Sequence, residues 1–238
     1  MRKAAPGSAS AAEIAKFDAL AARWWDPAGP MRPLHAMNKV RVGWIAAQVA
    51  RRFPGRTGLR LLDVGCGAGL AAEALARAGF DVLGIDAAGQ AIAAARAHAE
   101  GRGLSVRYEQ TTAEAVGEAR FSVVTALEVI EHVDDPTAFV GSLARLLEPG
   151  GMLFVSTLNR TLRSFALAKV GAEYVLRLLP AGTHDWRKFV TPAELGAMLR
   201  AAGLREAGIT GMTATPPDLR WRLTPDTSVN YLAAAIAG

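Results

Sequence analysis

The stretch Leu61-Leu62-Asp63-Val64-Gly65-Cys66-Gly67-Ala68-Gly69 decides the fold of this chain. An apolar run of strand character meets three glycines at alternate positions, and Leu70–Ala78 behind them has helical character. Glycine lets the backbone take φ/ψ values that other residues avoid and lets a ligand approach closely. The helix N-terminus beyond offers N–H groups to an anion. A dinucleotide fingerprint, G-x-G-x-x-G, would require glycine at position 70, where Leu70 stands, and no Gly-Lys-Ser/Thr of a nucleotide-hydrolysing loop follows. Both functions drop out. Asp86 ends the next strand-like segment, where a carboxylate can accept hydrogen bonds from a ribose diol or cap the following helix.

Outward from this core, segments of strand and helix character alternate. Leu59–Val64, Asp81–Ile85, Leu104–Tyr108, Phe121–Ala126 and Met152–Thr157 read as strands; Leu70–Ala78, Gln90–Arg102 and Pro136–Leu147 read as helices. That alternation predicts an α/β fold, a parallel sheet covered by helices on both faces and joined by right-handed crossovers. Upstream, Ala12–Trp25 and Met37–Phe53 carry apolar residues at helical spacing, separated by Asp26-Pro27-Ala28-Gly29-Pro30. They predict a helical cap over residues 1–54, with 55–238 as the main domain. After the fifth strand an excursion, 160–188, precedes a helix from Thr191-Pro192 to about Ala202. Two late strands lie near Glu206–Gly211 and Val229–Ile236.

Composition sets the outer limits. With 238 residues, 51% of them hydrophobic, the chain can bury a sizeable core, which excludes global disorder. The single cysteine, Cys66, excludes an intramolecular disulfide and a Cys-rich metal site. No apolar run reaches the ~18 residues of a membrane span, and the first residues lack the apolar core of a signal peptide. A cytoplasmic protein is expected. The net charge is +5, and most of it falls in 160–188, where Arg160, Arg163, Lys169, Arg177, Arg187 and Lys188 face only Glu173 and Asp185. Phe165, Leu167, Val170, Tyr174, Val175, Leu178 and Leu179 are interleaved with them. This basic amphipathic insertion suits the anionic inner surface of a membrane; a lid helix packed over an active site would share the pattern. An RNA partner would draw on similar charge, but no RNA-binding module is visible and no nucleic-acid partner is expected.

The glycine string, Asp86 and the later Leu147-Glu148-Pro149-Gly150-Gly151 resemble the Rossmann-like, class I S-adenosylmethionine-dependent methyltransferases. This resemblance covers about residues 55–160. It implies a seven-stranded, mostly parallel sheet of order 3-2-1-4-5-7-6 whose last strand is antiparallel. It also implies that the methionine part of S-adenosylmethionine lies over the glycine turn, at Gly65 and Gly67, held by backbone amides.

A narrower resemblance spans nearly the whole chain. Phe17 through Trp24-Trp25-Asp26-Pro27, Pro33-Leu34-His35-Ala36-Met37-Asn38-Lys39-Val40-Arg41, Ser156-Thr157-Leu158-Asn159-Arg160, Gly171-Ala172-Glu173-Tyr174, Gly182-Thr183-His184-Asp185 and Val229-Asn230-Tyr231 resemble the ubiquinone biosynthesis O-methyltransferases. Bacterial members often carry Pro where Lys39 stands and a further glycine where Ala68 stands; neither change removes a functional group. The resemblance implies methylation of hydroxyl groups on polyprenyl phenol or catechol and demethylubiquinol intermediates, and contact of Arg41, Gly65, Asp86 and Leu127 with the cofactor. A guanidinium at Arg41 can clamp a carboxylate in a bidentate pair. A lipid-tailed phenol or quinol is the expected substrate, and other ubiquinone-biosynthesis proteins are candidate partners. The competing readings are a methyltransferase acting on another small molecule or on tRNA, and a noncatalytic cofactor-binding module.

Leu127-Glu128-Val129-Ile130-Glu131-His132 follows the fourth strand, at the carboxyl ends where open α/β sheets bind ligands. In a helix, Glu128, Glu131 and His132 would share one face, and two carboxylates with an imidazole suit a divalent cation. The mitochondrial members of the resembled family are described as binding magnesium through this E-x-x-E-H pattern. A cation such as Mg2+ would acidify a catechol-like hydroxyl, whose ordinary pKa is about 10. A similar Glu-His turn also occurs in methyltransferases without metals, where it lines the pocket and His132 would be a general base. Both readings stand at this point. His184 is a further candidate to approach the substrate, with a structural loop histidine as the alternative.

Overall fold

A computed structural model describes residues 10–29, 31–166, 185–215 and 220–238. Five parallel strands form its centre: β1 (Arg60–Val64), β2 (Asp81–Asp86), β3 (Arg107–Gln110), β4 (Phe121–Leu127) and β5 (Leu147–Leu158). β6 (Leu204–Thr215), β7 (Arg220–Thr224) and β8 (Asn230–Ala237) complete an eight-stranded sheet of order β3-β2-β1-β4-β5-β8-β6-β7. β8 is antiparallel to both its neighbours, β5 and β6.

The expected seven strands thus become eight. Without β7, the order is the expected one, with β8 in the seventh place. β7 extends the edge as an antiparallel partner of β6. Its sequence, Arg-Trp-Arg-Leu-Thr, carries too few apolar residues to read as a strand, and its flanking arginines suit an exposed edge. Trp221 fixes it by packing toward the apolar cluster beneath α2 (Arg32–Arg52). β5 also starts earlier than Met152, because Leu147 pairs with Phe121 before a register irregularity.

Side-chain alternation along the strands divides the core. Leu62, Val64, Val124, Leu153 and Val155 pack with Phe139 and Leu143 of α5 (Pro136–Arg145) and with Leu195 and Leu199 of α6 (Pro192–Ala201). Leu61, Val123, Met152 and Phe154 pack on the opposite face with Trp44 and Ile45 of α2, Leu75 of α3 (Leu70–Arg77) and Ile92 of α4 (Gly89–Glu100).

The N-terminal segment crosses the carboxyl ends of the strands. α1 (Ala11–Leu20) is capped by Ser10, whose side chain accepts the Glu13 N–H, and continues into a 3-10 turn, Ala21–Arg23. Trp24 and Met31 pack with Ala68 and Leu70 as a separate apolar cluster. The Trp25 indole donates to Ala68 O at 2.9 Å, and Gln90 N donates to Asp18 at 2.8 Å, adding a cap at the start of α4. Most of the basic insertion, residues 167–184 with Lys169, Glu173, Arg177 and His184, lies outside the described residues.

Candidate active site

Gly65, Gly67 and Gly69 all take positive φ, at 69°, 54° and 89°. Space forbids larger residues as firmly as conformation does. A Cβ on Gly65 would lie 2.5 Å from Val129, one on Gly67 2.3 Å from the Trp24 ring, and one on Gly69 2.3 Å from the Tyr108 hydroxyl. The expectation that the turn's own amides face a ligand needs correction. Gly65 N and Cys66 N donate to Ile85 O, and Gly67 N donates to the Asp86 carboxylate at 2.9 Å. These donors bind the turn to β2. The glycines therefore admit Val129, Trp24 and Tyr108 against the turn, and the first-turn N–H groups of α3, which lack intrahelical acceptors, remain as donors.

Asp86 does not cap α4, whose N-cap is Ala88 without a side-chain bond; its carboxylate instead ties the glycine turn to the loop after β2. One oxygen accepts Gly67 N–H and the other accepts Ala88 N–H at 2.8 Å, and burial raises its pKa. Each oxygen keeps a second lone pair for a ribose hydroxyl. Leu127 ends β4 and packs in the cluster on the α2 face.

Arg41 is buried in α2, with Nε donating to Asn38 Oδ1 at 3.1 Å. Asn38 is itself anchored by donation to Leu70 O. Among the described residues no carboxylate lies within salt-bridge distance of this guanidinium; Glu128 and Asp63 act on it from farther away. Asp63, on the same face of β1 as Leu61, accepts from Thr125 Oγ1 at 2.6 Å, while its Oδ2 is buried without a partner. Burial pushes the Asp63 pKa up to about 6. Sequence reading quoted Asp63 without giving it a role; the available signal was an acid inside an otherwise apolar strand. These residues form a buried cation and an under-partnered acid beside the glycine turn. They fit the carboxylate and ammonium of an amino acid.

The acidic turn does not gather Glu128, Glu131 and His132 onto one face. Glu128 has a positive φ of 59°, and only Ile130–His132 form a helical turn, of 3-10 type. Ser156 and Thr157, successive residues of β5, point to opposite faces of the sheet. Ser156 Oγ donates to Glu128 at 2.6 Å and Thr157 Oγ1 to Glu131 at 3.0 Å. His132 reaches α1, where Nδ1 meets Glu13 Oε2 at 2.8 Å and Phe17 lies edge-on at 5.2 Å. Among the described residues no three His, Cys, Asp or Glu side chains are arranged to hold a metal ion. Burial, followed by the charge of Glu128, raises the Glu131 pKa well above the ordinary carboxylate value, and the two acids share a hydrogen bond. Burial therefore favours the neutral form of Glu131 beside Glu128. Ser156, Thr157 and Glu13 were absent from the candidates because they are remote in sequence.

Comparison with known proteins supports what this geometry suggests. Residues 38–206 match a family described as a methyltransferase domain. Magnesium protoporphyrin IX methyltransferase from Synechocystis PCC 6803, solved with bound S-adenosylmethionine, shares the fold with a TM-score of 0.65 at 18% identity, covering 98% of this chain and 100% of that one. A methyltransferase from Thermotoga maritima, described as a possible histamine N-methyltransferase, matches with a TM-score of 0.65 at 16% identity, covering 95% and 99%. The fold and the glycine-turn site define an S-adenosylmethionine-dependent methyltransferase. Sequence similarity narrows the class. The ubiquinone biosynthesis O-methyltransferase of Azorhizobium caulinodans is 50% identical over 240 residues, covering 97% of this chain and 95% of that protein. Its counterpart in Methylobacterium nodulans is 52% identical, covering 94% and 93%. The chain belongs to the ubiquinone biosynthesis O-methyltransferase family.

Proposed function

We propose that this chain methylates hydroxyl groups of lipid-tailed phenols, catechols or quinols on the route to ubiquinone. The observation that carries the reading is Arg41, a buried guanidinium without a salt-bridged carboxylate among the described residues, beside the unpartnered Asp63 Oδ2 and the glycine turn. Arg41 receives the cofactor's carboxylate, Asp63 its ammonium, and Asp86 its ribose diol. Gly65 and Gly67 allow close approach of the backbone, and Leu127 supplies apolar contact. When bound, S-adenosylmethionine supplies a methyl group on a sulfonium.

The chain's own contribution is placement and proton handling. Holding both reactants in line can lower the barrier by up to ~7–11 kcal/mol. With the cofactor bound, a substrate oxygen bonding to the methyl carbon would displace the carbon–sulfur electron pair, which would leave on a neutral thioether. The hydroxyl proton passes to His132. Glu131, whose pKa burial raises, leaves Oε1 as a hydrogen-bonding position for the substrate's neighbouring oxygen. As arranged here, Glu128, Glu131 and His132 do not fit a common divalent cation such as Mg2+.

Membrane contact through 160–188 belongs to the same reading, because a polyprenyl substrate resides in the bilayer. Its described flanks expose Leu162 (82%), Phe165, Arg187 and Lys188. Among the described residues no helix is long and apolar enough to cross a membrane. Liposome flotation with and without residues 162–188 checks the contact: deletion should abolish binding to anionic vesicles. For the activity, the protein is incubated with S-adenosylmethionine and a prenylated catechol. Mass spectrometry should find one added methyl and an equal amount of S-adenosylhomocysteine; neither product would refute the assignment.

A further inference from the structure

We infer that Glu13, on the N-terminal helix, is the positioning residue for His132 and makes the proton acceptor dependent on a seated cap. The inference rests on the reading of His132 as the group that takes the substrate proton. The two residues are 119 positions apart, yet Glu13 Oε2 lies 2.8 Å from His132 Nδ1. A carboxylate only accepts hydrogen bonds, so this contact requires the proton on Nδ1 and leaves the ring's lone pair on Nε2. The opposite tautomer would set two acceptors against each other. Phe17, one turn along α1, meets the imidazole edge-on with an interplanar angle of 87°, restricting rotation of the ring. Lys16 approaches the same Glu13 oxygen only at 3.8 Å and is the longer contact.

The helix carrying Glu13 is held at its other end as well. Gln90 N donates to Asp18, Trp24 covers Gly67 and Trp25 donates to Ala68 O. All three anchors sit at the cofactor turn or at the start of α4. The segment that covers the glycine turn is therefore the segment that selects the histidine tautomer. After proton transfer, the imidazolium faces the Glu13 carboxylate, which stabilises the charge formed.

The test compares Glu13→Ala, Glu13→Gln, His132→Ala and the double variant Glu13→Ala/His132→Ala in methyl transfer to a prenylated catechol. Glu13→Ala should lower kcat by about 10–100-fold, less than the roughly 10²–10⁴-fold that a general base itself contributes, with KM for S-adenosylmethionine changed less than twofold. Glu13→Gln, which keeps an acceptor but loses the charge, should fall between Glu13→Ala and the unaltered protein. The double variant should be no slower than His132→Ala, because Glu13 acts through that ring. An unaltered kcat in Glu13→Ala beside an impaired His132→Ala would overturn the role of Glu13 alone. So would losses that multiply in the double variant, or a parallel rise in cofactor KM, which would assign Glu13 to cap packing. A fully active His132→Ala would overturn the proton-acceptor reading and this inference together.

Discussion

The glycine turn after β1 and the acidic turn after β4 lie at neighbouring strand ends, but they are built differently. The first is a backbone device: three positive φ values, no Cβ atoms, and donors bound to the next strand and to Asp86. Its shape follows from residues within a short span of sequence. The second is a side-chain device. Glu128, Glu131 and His132 are close in sequence, yet each takes a different distant partner, Ser156, Thr157 and Glu13. A site made by backbone shape can be read locally, whereas a site made by side-chain convergence depends on which distant partners reach it. The two turns should therefore fail in different ways when altered.

The largest effect is expected at the backbone device. Asp86→Ala removes the acceptor for the Gly67 and Ala88 N–H groups and for the ribose diol. Affinity for S-adenosylmethionine should fall more than about a hundredfold by calorimetry, given the usual cost of lost charge-assisted bonds; retained affinity would remove Asp86 from the site. Glu131→Ala sharpens the contrast. Its kcat should fall about a hundredfold while cofactor affinity stays within threefold, and a chelator should leave turnover of the unaltered protein unchanged. A chelator-sensitive rate restored by added magnesium would contradict the reading that Glu128, Glu131 and His132 hold no cation.

Asp63 tests the cost of keeping the cofactor site under-partnered. Its pKa in the folded protein is about 6, above the ordinary 3.8, so its favourable contribution is present at low pH and is lost as pH rises through 6. The stability of the cofactor-free protein relative to Asp63→Asn should decline between about pH 4 and pH 6, then level off, by about 1–3 kcal/mol. Urea unfolding at a series of pH values measures this, and a flat difference would contradict the burial argument. Arg41→Lys should have the smallest effect, with affinity about tenfold weaker, because a point charge replaces the bidentate fork. Equal affinity would show that the guanidinium geometry is not used.

Much of the architecture was legible in sequence because buried parallel strands are predominantly apolar, as in Leu61–Val64 apart from Asp63 and Phe121–Leu127 apart from Ser122 and Thr125. The glycine turn and Asp86 were legible for the same local reason. β7 was not, since an edge strand of Arg-Trp-Arg-Leu-Thr needs neither alternation nor continuous hydrophobicity once β6 and Trp221 hold it. The same-face expectation for Glu128, Glu131 and His132 failed because it assumed helical spacing, and Glu128 at positive φ breaks that spacing before it begins. No local signal joins Glu13 to His132; only the path of α1 across the strand ends brings them together.

The most direct measurement compares two ligands that differ in the amino-acid end. S-adenosylhomocysteine and 5′-methylthioadenosine are titrated calorimetrically into the unaltered protein and into Arg41→Ala. S-adenosylhomocysteine should bind far more tightly to the unaltered protein, and Arg41→Ala should erase most of that preference. Equal binding of the two ligands, or a preference that survives the loss of Arg41, would contradict the placement of an amino acid between Arg41 and Asp63.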